Sequence, residues 1–518
     1  MVGTAVKLLY FSLILFVPWA AWTANLDTLG VTLLRQVDPA LNGNGVRVAQ
    51  VEAPYYTATN AFEVVPAVVG QPASLFSYIS VSGTASSYPN SVGVNSDHAD
   101  SVAGNFYGNA GVGIATNVIH VDNYEAADFF NAKIGPSAPI ADAVVNQSFL
   151  FDAASQSQVD PAYDNFVALH KTIFVNGAGN EGSISTNPPA TSYNGISVGV
   201  TDGTSSYGPT ADGRSKPDIC SPGSGATSFA TPYVAGAAAV LVQAAARGDA
   251  GAGSSIIATN PITIKALLLN GAVKPADWTN GPVTPLDARY GAGVVNLFNS
   301  WRQLQGGLHA SNETTIVSSG GVHPPGASSG HQPSLIGWDS TSLSTSTGSQ
   351  DKIIHYYFNL TNSQPSTFTA TLVWNRQNGK SAINNLDLFL FNTSDGSLVL
   401  SSTSAVDNVE HLFQPQLAPG RYDLQVLKRW SANQVSPSET YALAYEFFCM
   451  NLKLALTNGA ATLSWTNAPT GFRLVSTTSL YPPATWATVT APIIMTNGQN
   501  MVSVPVPGDG QFFRLQRP

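Results

Sequence analysis

Residues 225–236 read GATSFATPYVAG and lie between a polar, turn-rich stretch and a long run of alanines. Pro232 is tolerated only in the first turn of a helix, so a helix is expected to begin just before it. Ser228 then has two readings. It is either a cap for orphan backbone amides or a nucleophile held at the positive end of the helix dipole. Taken alone, the segment favours the cap. The nucleophile reading requires a base, an orienting acid and an oxyanion donor elsewhere in the chain. The continuation FATPYVAGAAAVLVQAAA has the length of a membrane span. Its Thr231, Pro232 and Gln243, and the dominance of alanine over leucine, make it a buried helix of a globular domain, and no stable membrane span is expected.

Outward from this segment, residues 27–300 alternate short apolar strands with helical stretches. VRVAQVEA (46–53), NVIHVDNY (117–124), DAVVNQSF (142–149), HKTIFVNGAGN (170–180) and GISVGV (195–200) read as buried strands. DPAYDNFVALH and TIKALLLNGA read as helices. Such βα alternation predicts an α/β fold, a mostly parallel sheet with helices on both faces. Ligands on these sheets bind beyond the carboxyl ends of the strands. After residue 305 the texture changes to Ser-, Gly-, Pro- and Thr-rich loops and then to alternating strands bounded by turns. This predicts a β-sandwich or jelly-roll at 305–449 and a small β-module at 450–518. The expected division is a signal peptide at 1–24, a catalytic α/β domain at 25–304 and these two all-β domains, separable from it.

Composition narrows the function classes. The 518 residues suffice for two or three domains, and only 10% are charged. With 22 Lys plus Arg and a net charge of −9, no basic stripe offsets phosphate repulsion, which excludes nucleic acid as a partner. Lys7 followed by LLYFSLILFVPWAAW has the form of an export signal, so the protein is expected to be secreted. Cys220 and Cys449 fall in different predicted domains and are not expected to pair, and no Cys/His spacing suggests a metal.

Three histidines lie in the α/β region. His120 sits within an apolar strand and His170 ends a helix, which suits structural roles. His98, in NSDHADSVAGNF, follows a polar loop at the start of a small-residue helix and is the candidate base. Asn180, in FVNGAGNEGS, is either an ordinary turn residue or a side-chain amide that, with the Ser228 N–H, stabilises an oxyanion.

At these residues the chain resembles the subtilisin-like serine peptidases, the subtilase family. HADSVAG resembles the family's His-Gly-Thr-His-Val-Ala-Gly signature and implies His98 as base. GAGNEG resembles its oxyanion turn and implies Asn180, with Gly179 lining the substrate site. GATSFATPYVAG resembles Gly-Thr-Ser-Met-Ala-x-Pro-x-Val-Ala-Gly and implies Ser228 as nucleophile. SSYGPTADGRSKPDICSPG (205–223) is similar to the stretch before that serine. The family's orienting acid is an aspartate ending the first strand; here VRVAQVEAP puts Glu52 there. Its task is to accept the histidine Nδ1–H and fix the tautomer. Asp97 and Asp100 are alternative acids, though capping of the His98 helix suits them better. In NQSFLF, Ser148, Phe149 and Leu150 align with the substrate-pairing strand. Leu150 stands where glycine is usual and should reshape the first specificity pocket.

The resemblance thus implies a secreted, monomeric serine endopeptidase acting on protein or peptide through an acyl-enzyme, with no required cofactor. Its rivals are a catalytically impaired subtilase fold serving as an extracellular binding module, and an esterase or lipase. The absence of Gly-x-Ser-x-Gly around Ser228 weighs against the last. TATLVWNRQNGKSAINNLDLFLFN and VDNVEHLFQPQLAPGRYDLQV resemble the jelly-roll domains that follow some secreted subtilases. Such domains often carry structural calcium, which would fall to Asn385, Asp387, Asp407 and Glu410; turn formation is the other reading of these residues.

Overall fold

The computed structural model describes residues 26–518 and Leu8–Leu9, apart from 55–59, 224, 321–322, 326–331, 346–349, 363, 432–433, 450–451, 458–459, 467–472, 480–484, 497–498, 506–510 and 517–518. The expected signal peptide therefore lies outside the described residues except Leu8–Leu9, which pairs antiparallel with Leu150–Phe151.

Eight strands form the sheet of the first unit: β1 (Arg47–Glu52), β2 (Phe76–Ser80), β3 (Gly83–Ala85), β4 (His120–Glu125), β5 (Val144–Gln147), β6 (Ile173–Gly177), β7 (Ile196–Val200) and β8 (Ile219–Ser221). Their order is β8-β7-β6-β5-β1-β4-β2-β3, and every neighbouring pair is parallel except β2 and β3. Helices cover both faces, as the alternation predicts. Because side chains alternate along a strand, Ala49 and Val51 of β1 pack with Val159, Tyr163, Phe166 and Val167 of α2 (Gln156–His170). Val48 faces the other way, into a cluster with Ala99, Ala103 and Phe106 of α1 (Asp97–Phe106) and the apolar length of α3 (Thr227–Arg247). Gln50 and Glu52 share the face of Val48.

Helix α3 is buried along nearly its whole length inside this unit. It begins five residues before Pro232, not within one turn of it. Proline has no N–H to give the carbonyl four residues back, which is that of Ser228. The Ser148 hydroxyl donates to the Ser228 carbonyl at 3.0 Å instead, so a side chain from another segment replaces the missing helical bond. A Cβ on Gly236 would stand 2.7 Å from Ile114 Cβ, so glycine allows α3 to lie close to the end of α1.

Beyond α4 (Pro261–Asn270) and α5 (Leu297–Gln305) the chain is all antiparallel β. The nine strands are β9 (Glu313–Ser318), β10 (Ile336–Ser344), β11 (Gln350–Leu360), β12 (Ser366–Trp374), β13 (Leu386–Asn392), β14 (Leu398–Ser402), β15 (Val409–Leu417), β16 (Gly420–Lys428) and β17 (Ser438–Phe448). They make two sheets, β9-β11-β16-β13-β14 and β10-β17-β12-β15, with a shared apolar interior that includes Tyr356, Phe368, Trp374, Leu388, Leu424 and Tyr445. Residues 453–516 form two smaller sheets around their own core of Ala461, Leu463, Trp465, Leu474, Val502 and Val504.

The sandwich is joined to the α/β unit more intimately than the change in sequence texture suggests. Trp338, Val373, Val409, Ala442 and Ala444, on the outside of its four-stranded sheet, belong to the same apolar cluster as α3, α4 and α5. Buried polar bonds cross the junction. Arg376 pairs with Asp164 at 2.9 Å, Asn194 bonds both the N–H and the carbonyl of Arg376, and Asn270 Oδ1 accepts from Thr369 and Thr371. Severing the chain at 304 would uncover all of these groups. Cys220 and Cys449 do not form a disulfide with each other.

Candidate active site

Strand β1 ends at Glu52 and α1 begins two residues before Ala99, whose N–H is capped by Ser96 at 3.3 Å. These two ends meet. His98 Nδ1 lies 2.7 Å from Glu52 Oε2, with the carboxylate side chain 1% exposed and the imidazole 12%. The other acids near His98 are turned elsewhere. Asp97 is exposed, and Asp100 Oδ1 accepts the Val65 N–H at 2.6 Å. Burial pushes the Asp100 carboxyl up to about 6. The His98 ring rests beside that of Phe229, with centroids 5.8 Å apart, so the base touches the helix that carries Ser228.

That helix starts without a cap of its own, because Ala226 at the N-cap has no side-chain acceptor. Asn180 supplies one from the loop after β6. Its Oδ1 accepts from the Thr227 N–H at 2.7 Å and from the Thr227 hydroxyl at 3.0 Å. The Asn180 oxygen is thus engaged, and its Nδ2 hydrogens are the donors it brings to the site. Ser228, second residue of α3 and half-buried, does not cap; its Oγ lies 3.4 Å from the Ser148 carbonyl. Gly179, at φ +108°, donates its N–H to the Thr227 hydroxyl, and a Cβ there would meet Ser206 Oγ at 2.6 Å. Only glycine allows this turn.

Residues 77–293 match the Subtilase family, Peptidase S8. The matched region falls within the α/β unit and holds His98, Asn180 and Ser228. Over 130 residues, 22% of the chain, it is 35% identical to pyrolysin of Pyrococcus furiosus, and the match spans 8% of pyrolysin's length. Among solved structures, the prenylagaramide maturation protease PagA aligns with 53% of this chain and 98% of its own, at 19% identity and a TM-score of 0.39. A serine protease of Aeromonas sobria aligns with 90% of this chain and 88% of its own, at 15% identity and a TM-score of 0.36.

Within the matched region, Ser148, Phe149 and Leu150 follow β5 and run beside the start of α3. Asn146 Nδ2 donates to the Ser148 hydroxyl at 3.1 Å, which in turn holds the Ser228 carbonyl. Phe149 packs edge-on against Phe151, with centroids 5.5 Å apart. Leu150 is buried, and its Cδ1 comes within 3.1 Å of the place a Gly179 Cβ would occupy. Its side chain thus lies against the turn that carries Asn180. His120 and His170 stand apart from this site, bonded to Ser77 and Asp122 and to Ser137.

Three residues of the site escaped the sequence reading: Thr227, which receives Asn180, and Gln50 and Tyr107, which lie behind Glu52. Gln50 had a legible signal, a carboxamide in an apolar strand two residues before the acid and on its face.

Of the four positions suggested for calcium, the three carboxylates accept from protein donors. Asp407 accepts from Ser215 N and Ser404 Oγ, and Glu410 from Ser402 Oγ and Ser404 N. Asp387 Oδ2 bonds Arg429, while Asp387 Oδ1 and Asn385 Oδ1 are buried without a partner. Among the described residues, no group of three His, Cys, Asp or Glu side chains could hold a metal.

Proposed function

We propose that this chain is an exported serine endopeptidase that uses Ser228, His98 and Glu52. The observation that carries the proposal is the buried 2.7 Å bond between His98 Nδ1 and the Glu52 carboxylate, set beside the start of α3. The Ser228 hydroxyl attacks a peptide carbonyl while its proton passes to His98 Nε2. Glu52 accepts the Nδ1–H throughout and stabilises the imidazolium. The tetrahedral oxyanion is met by Asn180 Nδ2 and the Ser228 N–H at the positive end of α3. One such donor is worth about 10²–10³ in rate. His98 then protonates the leaving amine, the C–N bond breaks, and water repeats the sequence to release the acyl group. No step needs a cofactor. The export signal read at Lys7 and the apolar run after it supports action outside the cell.

Leu150 bears on the substrate. Filling the space beside Gly179 shortens the first pocket, so the residue before the scissile bond should be small or β-branched. A peptide-library digest dominated by large aromatic residues at that position would overturn this.

The test of the activity is labelling with a fluorophosphonate probe, which reacts with an activated serine. The native chain should label once, at Ser228, and Ser228→Ala and His98→Ala should abolish labelling alike, because such groups act as a unit. A folded native chain that does not label would leave a binding module on a subtilase scaffold. Labelling with ester but no peptide turnover would favour an esterase.

A further inference from the structure

We propose that Gln50 is a positioning residue that allows a glutamate to serve as the orienting acid of this site. The inference rests on the reading of Glu52, His98 and Ser228 as a catalytic unit. Gln50 is 0% exposed, in a strand whose buried residues other than Gln50 and Glu52 are apolar. A carboxamide buried there is unfavourable unless its groups are bonded. Gln50 Nε2 donates to Glu52 Oε1 at 2.8 Å and to the Ala99 carbonyl at 2.9 Å. Its Oε1 accepts the Tyr107 hydroxyl at 2.6 Å. Tyr107 is itself fully buried, and burial, followed by the charge of Glu52, raises its phenol far above the ordinary value, so it remains a donor.

The placement of these bonds gives them a use. Ala99 follows His98 directly, so one amide nitrogen holds both the acid and the first turn of the helix bearing the base. Glutamate has one more rotatable bond than aspartate, and its carboxylate can swing about that bond. Gln50 fixes Oε1 and thereby aims Oε2 at His98 Nδ1. Tyr107, from the end of α1, fixes the rotation of Gln50 in turn. The line Tyr107, Gln50, Glu52, His98 is continuous in hydrogen bonds and lies wholly behind the imidazole, away from substrate.

The test is a double-mutant cycle in the full chain between Gln50→Met, which preserves length, and Glu52→Gln. Labelling rate, kcat, KM and thermal midpoint are measured together. In the native background Gln50→Met should lower kcat and labelling about 10–100-fold with KM within about 2-fold, the scale of losing a partner that orients a functional ligand. In the Glu52→Gln background it should change them less than about 3-fold. Equal losses in both backgrounds would overturn the proposal, since they would mark a purely structural role. Tyr107→Phe removes one hydroxyl and keeps the cycle readable if Gln50→Met folds poorly; it should give a smaller loss with the same dependence on Glu52. The downfield proton resonance of the His98–Glu52 bond provides a readout independent of turnover. It should vanish in Glu52→Gln and shift in Gln50→Met, and an unmoved resonance in Gln50→Met would refute the role. Failure of the native chain to label, with the resonance responding as expected, would sink the catalytic reading and leave the positioning of Glu52 standing.

Discussion

Among the described residues, each large unit holds a histidine–carboxylate pair of nearly the same length with a buried carboxylate. His98 Nδ1 lies 2.7 Å from Glu52, and His355 Nδ1 lies 2.8 Å from Asp423, whose other partner is Gln425 Nε2 at 2.7 Å. Each pair even has a neighbouring glutamine two residues from its acid. The surroundings of the rings differ. His355 sits in the middle of β11, between β9 and β16, and its Nε2 is met by the Thr315 hydroxyl at 2.7 Å. Threonine, histidine and aspartate there stitch three strands together. His98 stands at one helix start and lies beside another, where Asn180 caps Thr227, the residue before Ser228. A histidine–carboxylate bond therefore orients an imidazole in either setting. Chemistry depends on what the setting offers the other nitrogen and the oxyanion.

Separation of the two units is the severest test of this contrast. A chain ending at residue 304 should lose its cooperative unfolding transition and all labelling, because Trp338, Val373 and Val409 complete its core and Arg376 partners its buried Asp164. A soluble fragment that labels at the native rate would show that the pairs occupy independent domains.

Next in size is the exchange of each carboxylate for its amide. Glu52→Gln should lower kcat on the order of 10³–10⁴ by favouring the wrong imidazole tautomer, a scale taken from the triad of other serine proteases. Asp423→Asn should leave kcat per folded molecule within about 3-fold while lowering stability by about 2–4 kcal/mol, the range for breaking a buried charged hydrogen bond. Urea titration and active-site titration of both variants separate the two effects, and a large kcat loss in Asp423→Asn would erase the distinction. Glu52→Asp should also reduce activity, since Gln50 is placed for the longer side chain; a strong gain would mark a decayed peptidase.

A smaller effect concerns Asp100. Its carboxyl is raised from 3.8 to about 6 by burial, with the Val65 N–H opposing that shift. Between those values the folded state holds the proton more tightly than the unfolded state, so stability should fall as pH rises from about 4 to 6. Asp100→Asn, which can still accept from Val65, should remove that slope and leave turnover nearly unchanged. Lost turnover would return Asp100 to the list of orienting acids. The smallest effect is expected from deleting 450–518, whose core is built from its own residues. Labelling and the main thermal transition should move little.

Much of the candidate site is legible in the sequence because its parts are local. The loop-to-helix context of His98, the glycines around Asn180 and the small-residue run after Ser228 are each written in a few consecutive residues. The parallel sheet followed from strand and helix periodicities in the same way. The sequence places the helix start too close to Pro232, because the bond that proline removes is replaced by Ser148, 80 residues before the Ser228 carbonyl it holds. The cap of α3 was also sought in the wrong place. It belongs to Asn180, and a cap supplied across the fold leaves no signature near the helix it serves.

The sequence by itself determined which residue types were available: a serine before an apolar helix, a histidine after a polar loop and a glutamate ending the first strand. It also determined the change from βα alternation to all-β texture near residue 305. Only the tertiary structure decided that Glu52, rather than Asp97 or Asp100, meets His98, and that Gln50 and Tyr107 stand behind it. It alone decided that the sandwich shares the core of the α/β unit. The physical reason is common to these cases. Periodicity and turn chemistry are set by neighbours along the chain, whereas a buried polar group is satisfied by whichever partner packing brings within about 3 Å, and that partner can come from anywhere in the sequence.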